Sequence, residues 1–318
     1  MLPAKSSFWR VVIGLNFILC FSISCRKYQA VPKVQTWSQK QTTEFTGKGR
    51  QGAVSFSIGS KGYVGLGNQD ENTVFTDMWE FDPVDSSWTK KADFPGTVRL
   101  TPSGFYIGKK GYVVNGYCDC SDFWEYDPAI DKWTRRADFP VSGVYYSATF
   151  VINGKGYVGT GSTNVKLIND FWEYDPDIDQ WTKKADFPGA SVDAAGSFAI
   201  ANKGYFVAGN LPLGLSTSVW EYDPAIDKWT QKADCPFYAY SPVAFLMNNE
   251  AYMGEGFGGI NQFWSYTPGT DKWEKSVYFL KDYRGGAKAF LIGNTIYMGL
   301  GTSTYTVYPT DFWALKTN

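Results

Sequence analysis

Short runs in which apolar and polar side chains alternate recur along this chain. In Trp124-Glu125-Tyr126 the two aromatics share one face and the glutamate takes the other, the period of two that marks a β-strand. Asp127-Pro128 follows. Asp accepts a backbone hydrogen bond at the first turn position, and Pro presets φ at the second. A further strand carries Trp133 and Arg135-Arg136, and the segment ends in Ala137-Asp138-Phe139-Pro140. It returns with small changes, its tryptophans nine residues apart: Trp79/Trp88, Trp124/Trp133, Trp172/Trp181, Trp220/Trp229 and Trp264/Trp273. From Trp79 to Trp313 the leading tryptophans are spaced by 45, 48, 48, 44 and 49 residues, a period that predicts a propeller or solenoid.

A hairpin precedes each of these segments. Strand A is an apolar run around Phe56, Phe105, Phe150, Phe198, Phe245 and Phe290. Seven residues later Tyr63, Tyr112, Tyr157, Tyr205, Tyr252 and Tyr297 mark strand B, and four further on come Gly67, Gly116, Gly161, Gly209, Gly256 and Gly301. That constancy predicts one fixed hairpin. Strand C holds the first tryptophan and strand D the second. The basic pairs on D (Lys90-Lys91, Arg135-Arg136, Lys183-Lys184) suit an outermost strand, where charge deters edge-to-edge pairing.

Four such strands expose apolar surface on both faces, and radial stacking into a closed ring covers both. The expected fold is therefore all-β, a six-bladed propeller of four antiparallel strands per blade. Blades are expected at about residues 53–94, 103–140, 146–188, 194–236, 242–279 and 286–315, with the tryptophans and strand tyrosines as packing residues. The sixth unit lacks strand D. Residues 34–45, with Trp37, match it, and Phe45 and Arg50 keep the five-residue spacing of Phe94 and Arg99. The N-terminal strand is predicted to complete the last blade.

These motifs resemble the kelch repeat, whose commonest closed form has six blades. The resemblance rests on the strand-B tyrosine and glycine and on the Asp-x-Trp-x-Tyr-Asp-Pro…Trp segment, and covers residues 34–318. In one respect the chain departs from it. Kelch repeats usually carry Gly-Gly at the end of strand B; here the first glycine is replaced by Leu66, Asn115, Thr160, Ala208, Glu255 and Leu300.

The net charge is −1, and −3 after loss of Lys5 and Arg10 in a cleaved leader, which gives no footprint for nucleic acid or an anionic membrane surface. With no histidine in 318 residues, His-ligated zinc or copper, a Ser-His-Asp triad and a histidine general base are excluded. The copper chemistry of galactose oxidase, which has a kelch propeller, is excluded with them. Nothing points to a cofactor or metal.

Lys5 and Arg10 precede an apolar run, Val11 to Ile23, too short to favour a permanent membrane helix. The run ends in Phe-Ser-Ile-Ser-Cys25, which resembles a bacterial lipoprotein signal, with Ser22 where leucine is usual. Residues 1–24 are expected to be cleaved, Cys25 lipidated, and residues 25–33 to form a tether; the only membrane contact expected is this anchor. Arg26-Lys27 after the cysteine favours an outer-membrane anchor facing the periplasm. Of the other cysteines, Cys118 and Cys120 form a loop pair, free or joined in a small ring, and Cys235 replaces a core phenylalanine as a buried thiol.

In kelch proteins the loops joining B to C and D to A share one face around a central channel, so the resemblance implies the same here. The B–C loops vary most: 68–76, 117–121, 162–169, 210–217, 257–261 and 302–310. Six residues before the strand-A phenylalanine stand Arg50, Arg99, Val144, Val192, Ala239 and Arg284, and the next position holds Asp193 and Tyr240 among others. The three arginines could grip a carboxylate, or pair with acids such as Asp193 and Asp282. Tyr117, Tyr145, Tyr146, Tyr240, Phe257 and Tyr305 could line a site for sugar or peptide, or pack the loops.

The expected function is a non-catalytic module, a monomer, holding a protein or glycan on this face. The alternative comes from the resemblance: bacterial periplasmic kelch proteins include a sialic acid mutarotase. For that chemistry Glu255 would be the base and Arg284 its neighbour.

Overall fold

The computed structural model describes residues 37–258, 262–278, 283–303 and 307–317, all within the unit Gln35–Asn318. Cys25, the leader and the tether lie outside them, as do Asp282 and Tyr305.

Every described element is a strand, and six four-stranded antiparallel sheets account for all but one small hairpin. Blade 1 runs Val54–Ile58, Lys61–Gly65, Met78–Asp82 and Ser87–Lys91, from strand A to strand D. Blades 2 to 5 repeat the order with A strands Ser103–Ile107, Ala148–Ile152, Gly196–Ile200 and Val243–Met247. Between B and C, blade 4 adds the hairpin Asn210–Leu211 and Gly214–Leu215. In blade 6 the strands Lys288–Ile292, Thr295–Gly299 and Phe312–Thr317 are joined by Trp37–Gln41. The N-terminal strand lies antiparallel to strand C, with Trp37 opposite Thr317 and Gln41 opposite Trp313. The blade shared between the two ends of the chain is as the spacing predicts.

The six A strands contact one another in turn, and the sixth contacts the first, so the ring is closed. Its core is not one mass but six hydrophobic clusters, one in each seam between blades. The closing seam packs Phe45 from the N-terminal segment against Trp79, Trp88 and Phe312. Blade faces come very close: a Cβ on Gly111 would lie 2.2 Å from the Phe56 ring of the preceding blade.

Polar latches reinforce four seams. The Trp133 indole donates to the Ala92 carbonyl (2.9 Å), while the Ala92 N–H donates to Asp131 (2.9 Å). Trp181 and Asp179 hold Ala137 in the same way, Trp229 and Asp227 hold Ala185, and Trp273 and Asp271 hold Ala233. The tyrosine of strand C also donates to that aspartate, as from Tyr126 to Asp131 at 2.7 Å. At the closing seam Ser86 stands where the others have Asp, and the Trp88 indole nitrogen has no partner among the described residues.

The replaced glycine of the strand-B doublet keeps a glycine-like backbone. Leu66, Asn115, Thr160, Ala208, Glu255 and Leu300 all sit at φ between 51° and 60°. The retained glycines lie at 81° to 122°, beyond what a side chain tolerates, and a Cβ on Gly67 would stand 2.5 Å from the Gln51 carbonyl. Substitution is therefore accepted at the first position and refused at the second. The retained glycine N–H also reaches across to the next blade: Gly116 donates to the Val144 carbonyl at 2.8 Å, and Gly301 to the Arg50 carbonyl at 2.8 Å across the closing seam.

Candidate functional site: the channel mouth

In each blade the residue after the Arg50-type position forms a short antiparallel bridge with the first residue of the B–C loop. The pairs are Gln51–Asn68, Leu100–Tyr117, Tyr145–Ser162, Asp193–Asn210, Tyr240–Phe257 and Gly285–Thr302. Six bridges thus form a rim, and the D–A and B–C loops do share a face. Inside the rim stands a second ring, Gly52, Thr101, Tyr146, Ala194, Ser241 and Gly286, one residue per blade, all with φ between 47° and 66°. These residues and the first residues of the A strands line a cavity of about 260 Å³ on the ring axis. This is near the lower end of the range for small-molecule sites.

The inner ring is uneven. From blade 3 to blade 5 it is stitched by backbone: Ala194 N–H donates to the Tyr146 carbonyl (2.8 Å) and Ser241 N–H to the Ala194 carbonyl (2.7 Å). On the other side, Gly286 and Gly52 carry no side chains, and a Cβ on Gly286 would touch Gln51 and approach Gly52. The hydroxyls below the mouth are largely committed as donors between blades. Ser55 donates to the Ala289 carbonyl (3.0 Å), Ser103 to Ser147 (2.8 Å) and Ser197 to Thr149 (2.7 Å). Each keeps a lone pair for a ligand, although the Ser197 hydroxyl already accepts from the Thr149 N–H at 3.3 Å.

The aromatic candidates divide. Phe257 lines the cavity and stacks on Tyr240 at 4.9 Å. Tyr117, half exposed, meets Tyr145 edge-on at 5.0 Å, and Tyr145 meets Tyr146 at 5.7 Å. Tyr146 lines the cavity; burial, and then the nearby Asp193 carboxylate, push its hydroxyl above the ordinary tyrosine range. Asp193 is buried at the rim and accepts a hydrogen bond from Ser162 at 2.5 Å.

Of the two tasks the sequence leaves open for Arg50, Arg99 and Arg284, gripping a ligand carboxylate or pairing with an acid of the chain, the structure shows the second, with other acids than those expected. Arg50 is fully buried, forks onto Asp77, donates to the Leu66 carbonyl (3.0 Å) and lies over Phe75 (4.1 Å) and Phe45 (5.2 Å). Arg99 pairs with Asp122, donates to the Thr97 and Asn115 carbonyls and lies over Phe94. Arg284 pairs with Asp311 at 2.7 Å. Each ties its loop to the aspartate two residues before the strand-C tryptophan, whose indole donates to that same aspartate. A buried, paired guanidinium already spends its charge within the protein. The arginines' partners are Asp77, Asp122 and Asp311; Asp193 accepts from Ser162 instead, and Asp282 lies outside the described residues.

Glu255 is wholly buried. One carboxylate oxygen accepts the Arg284 backbone N–H at 3.0 Å, and the other has no hydrogen-bond partner among the described residues. Burial raises its pKa to about 7 against the partial relief of Arg284. It and Arg284 are neighbours, but neither lines the cavity, and Arg50 and Arg99 do not converge with them there.

The residue that sequence reading missed is Lys288. It lines the cavity from strand A of blade 6, and is the one Lys, Arg, Asp or Glu among the described residues that do. The aligned positions in the other blades are Val54, Ser103, Ala148, Gly196 and Val243, a contrast visible once the A strands are superposed.

Cys118 and Cys120 are joined as a disulfide in the blade 2 B–C loop. Cys235 is a buried thiol whose pKa burial pushes up to about 12. Among the described residues no three His, Cys, Asp or Glu side chains cluster to hold a metal ion.

No family model matches the sequence, and no curated protein matches it. Among solved structures, that titled "Structure of YjhT" is similar, with a TM-score of 0.73 and 20% identity over 85% of this chain and 95% of that one. The likeness is one of fold, and with the closed circuit of A strands it makes this chain a six-bladed β-propeller.

Proposed function

We propose that this protein is a non-catalytic binding module that takes the end of a glycan into the channel mouth, exported and held at the outer membrane through lipid on Cys25. The observation that carries the reading is the cavity on the ring axis, rimmed by Phe257 and Tyr146 and lined by hydroxyls contributed by several blades. Aromatic faces with hydroxyl lone pairs suit the alternating apolar and polar faces of a sugar. A concave site of this volume favours a sugar over a folded protein surface.

A glycan array with the purified protein, followed by calorimetry on the hits, tests it. The Phe257→Ala variant should bind a hit about tenfold more weakly, the loss expected for one buried stacking contact. An empty array would refute the glycan reading.

The second reading is a sugar mutarotase of the sialic acid type, favoured by the raised pKa and unpartnered oxygen of Glu255. Against it stands the complete burial of that carboxylate. Polarimetry of sialic acid with and without the protein decides between them. Binding without acceleration supports the module; acceleration abolished by Glu255→Gln supports the enzyme.

A further inference from the structure

Among the described residues nothing compensates the charge of Lys288. The strands packed against it are strand A of blades 1 and 5 and strand B of blades 1 and 6. Their titratable residues are Lys61, Tyr63 and Tyr297, and none offers it a carboxylate: Lys61 is paired with Asp82 and Tyr63 donates to Glu80, while Glu250, on the adjoining strand B of blade 5, accepts from Tyr252. Among the described residues the Lys288 ammonium has neither an ion-pair nor a hydrogen-bond partner, although its side chain is partly open to the channel. Burial lowers its pKa to about 8, and no acidic neighbour offsets that loss.

Buried charges in proteins are paired, and breaking such a pair is costly. Here the other basic groups near the mouth, Arg50, Arg99 and Arg284, all have their aspartates. Among the described basic residues near the mouth, Lys288 alone keeps its donors free, two residues below Gly286 on the side of the inner ring that lacks side chains. The hydroxyl lone pairs around it attract donors, not anions, so a ligand that satisfies both must carry hydroxyls and one negative group.

We propose that Lys288 anchors a carboxylate borne by a small sugar acid, which enters past Gly52 and Gly286 with its acidic end inward. The inference rests on the binding reading above and gives its ligand a charge. A protonated ammonium against a carboxylate forms a charge-assisted hydrogen bond, stronger than the neutral contacts available to an uncharged sugar.

Calorimetry with three probes tests it: glucuronate, glucose and acetate, on the wild type and on Lys288→Met, which keeps the stem and removes the charge. Glucuronate should bind about tenfold or more tightly than glucose, the gain expected for a hydrogen bond to a charged group. The variant should bind both alike. The wild-type preference should fade as pH rises through about 8, where the ammonium loses its proton. Thermal melting keeps the test fair: the variant, relieved of a lone buried charge, should melt no lower than wild type. Equal binding of glucose and glucuronate by the wild type overturns the anchor and leaves sugar binding standing. Acetate binding lost in the variant, with neither sugar bound, keeps the anchor and overturns the sugar reading. No heat from any probe overturns both, and a preference that survives in Lys288→Met overturns the assignment to this residue.

Discussion

A buried carboxylate with a single hydrogen bond is an unusual tenant, and Glu255 occupies a left-handed backbone position as well. Its folded pKa of about 7 stands above its ordinary 4.5. The sign follows: between those values the unfolded chain has already lost the proton that the folded chain still holds. Stability should therefore fall as pH rises across this window, with the full penalty present above about 7. That penalty is on the order of 3 kcal/mol. Glu255→Gln keeps the shape without the charge, so it should melt higher than wild type at pH 8 and close to it at pH 5. Equal differences at both pH values would show that the carboxylate is not held neutral.

At this scale sequence reading went only part of the way. The spacing of Phe94 and Arg99 was legible, and its cause is the ring under the guanidinium. The arginine's partner was missed, although the sequence holds the signal: blades 1, 2 and 6, which have arginine, all place Asp two before the tryptophan, while blades 4 and 5 have Ser218 and Gln262 there. Blade 3 obscured the rule, because Asp170 persists beside Val144 and pairs with Lys183 instead. Lys288 escaped because lysine is ordinary on a strand. Only ring closure turns that strand position toward a narrow lumen.

Among elements, the C–D turn does more than reverse the chain. Asp227 accepts from Tyr222 in its own blade (2.7 Å) and from the Ala185 N–H of the blade before (3.0 Å), while Trp229 returns a hydrogen bond to the Ala185 carbonyl (2.9 Å). Asp227→Ala strands a buried tyrosine hydroxyl and should cost about 2 kcal/mol in urea unfolding. An unchanged midpoint would mean that the seam is held by its aromatics alone. The strands themselves were readable because alternation, turn residues and a repeated tryptophan agreed six times. The small hairpin at Asn210–Leu211 and Gly214–Leu215 was not. It carries no repeat signal, and two-residue strands bury too little to leave a pattern.

For the whole molecule, closure depends on a few residues far from the rest. Phe45 is buried against Trp79, Trp88 and Phe312, and its truncation to alanine should cost about 3–5 kcal/mol, the range for removing a buried aromatic ring. A protein beginning after Phe45 should lose cooperative thermal unfolding altogether. If it melts like the full chain, the ring does not need its clasp. Closure was legible in the sequence because the sixth unit ends without a strand D, and residues 34–45 supply one.

That clasp sets an order of events during synthesis. The strand at residues 37–41 leaves the ribosome early, yet the edge it pairs with lies some 270 residues downstream. Until that edge arrives, the strand at residues 37–41 has nowhere native to go. The two terminal blades meanwhile each present an uncovered wall, and their seam lacks the latch found at four of the other five. Completion of the circle thus waits until strand C of the sixth blade has emerged, and closure joins it to a strand made some 270 residues before.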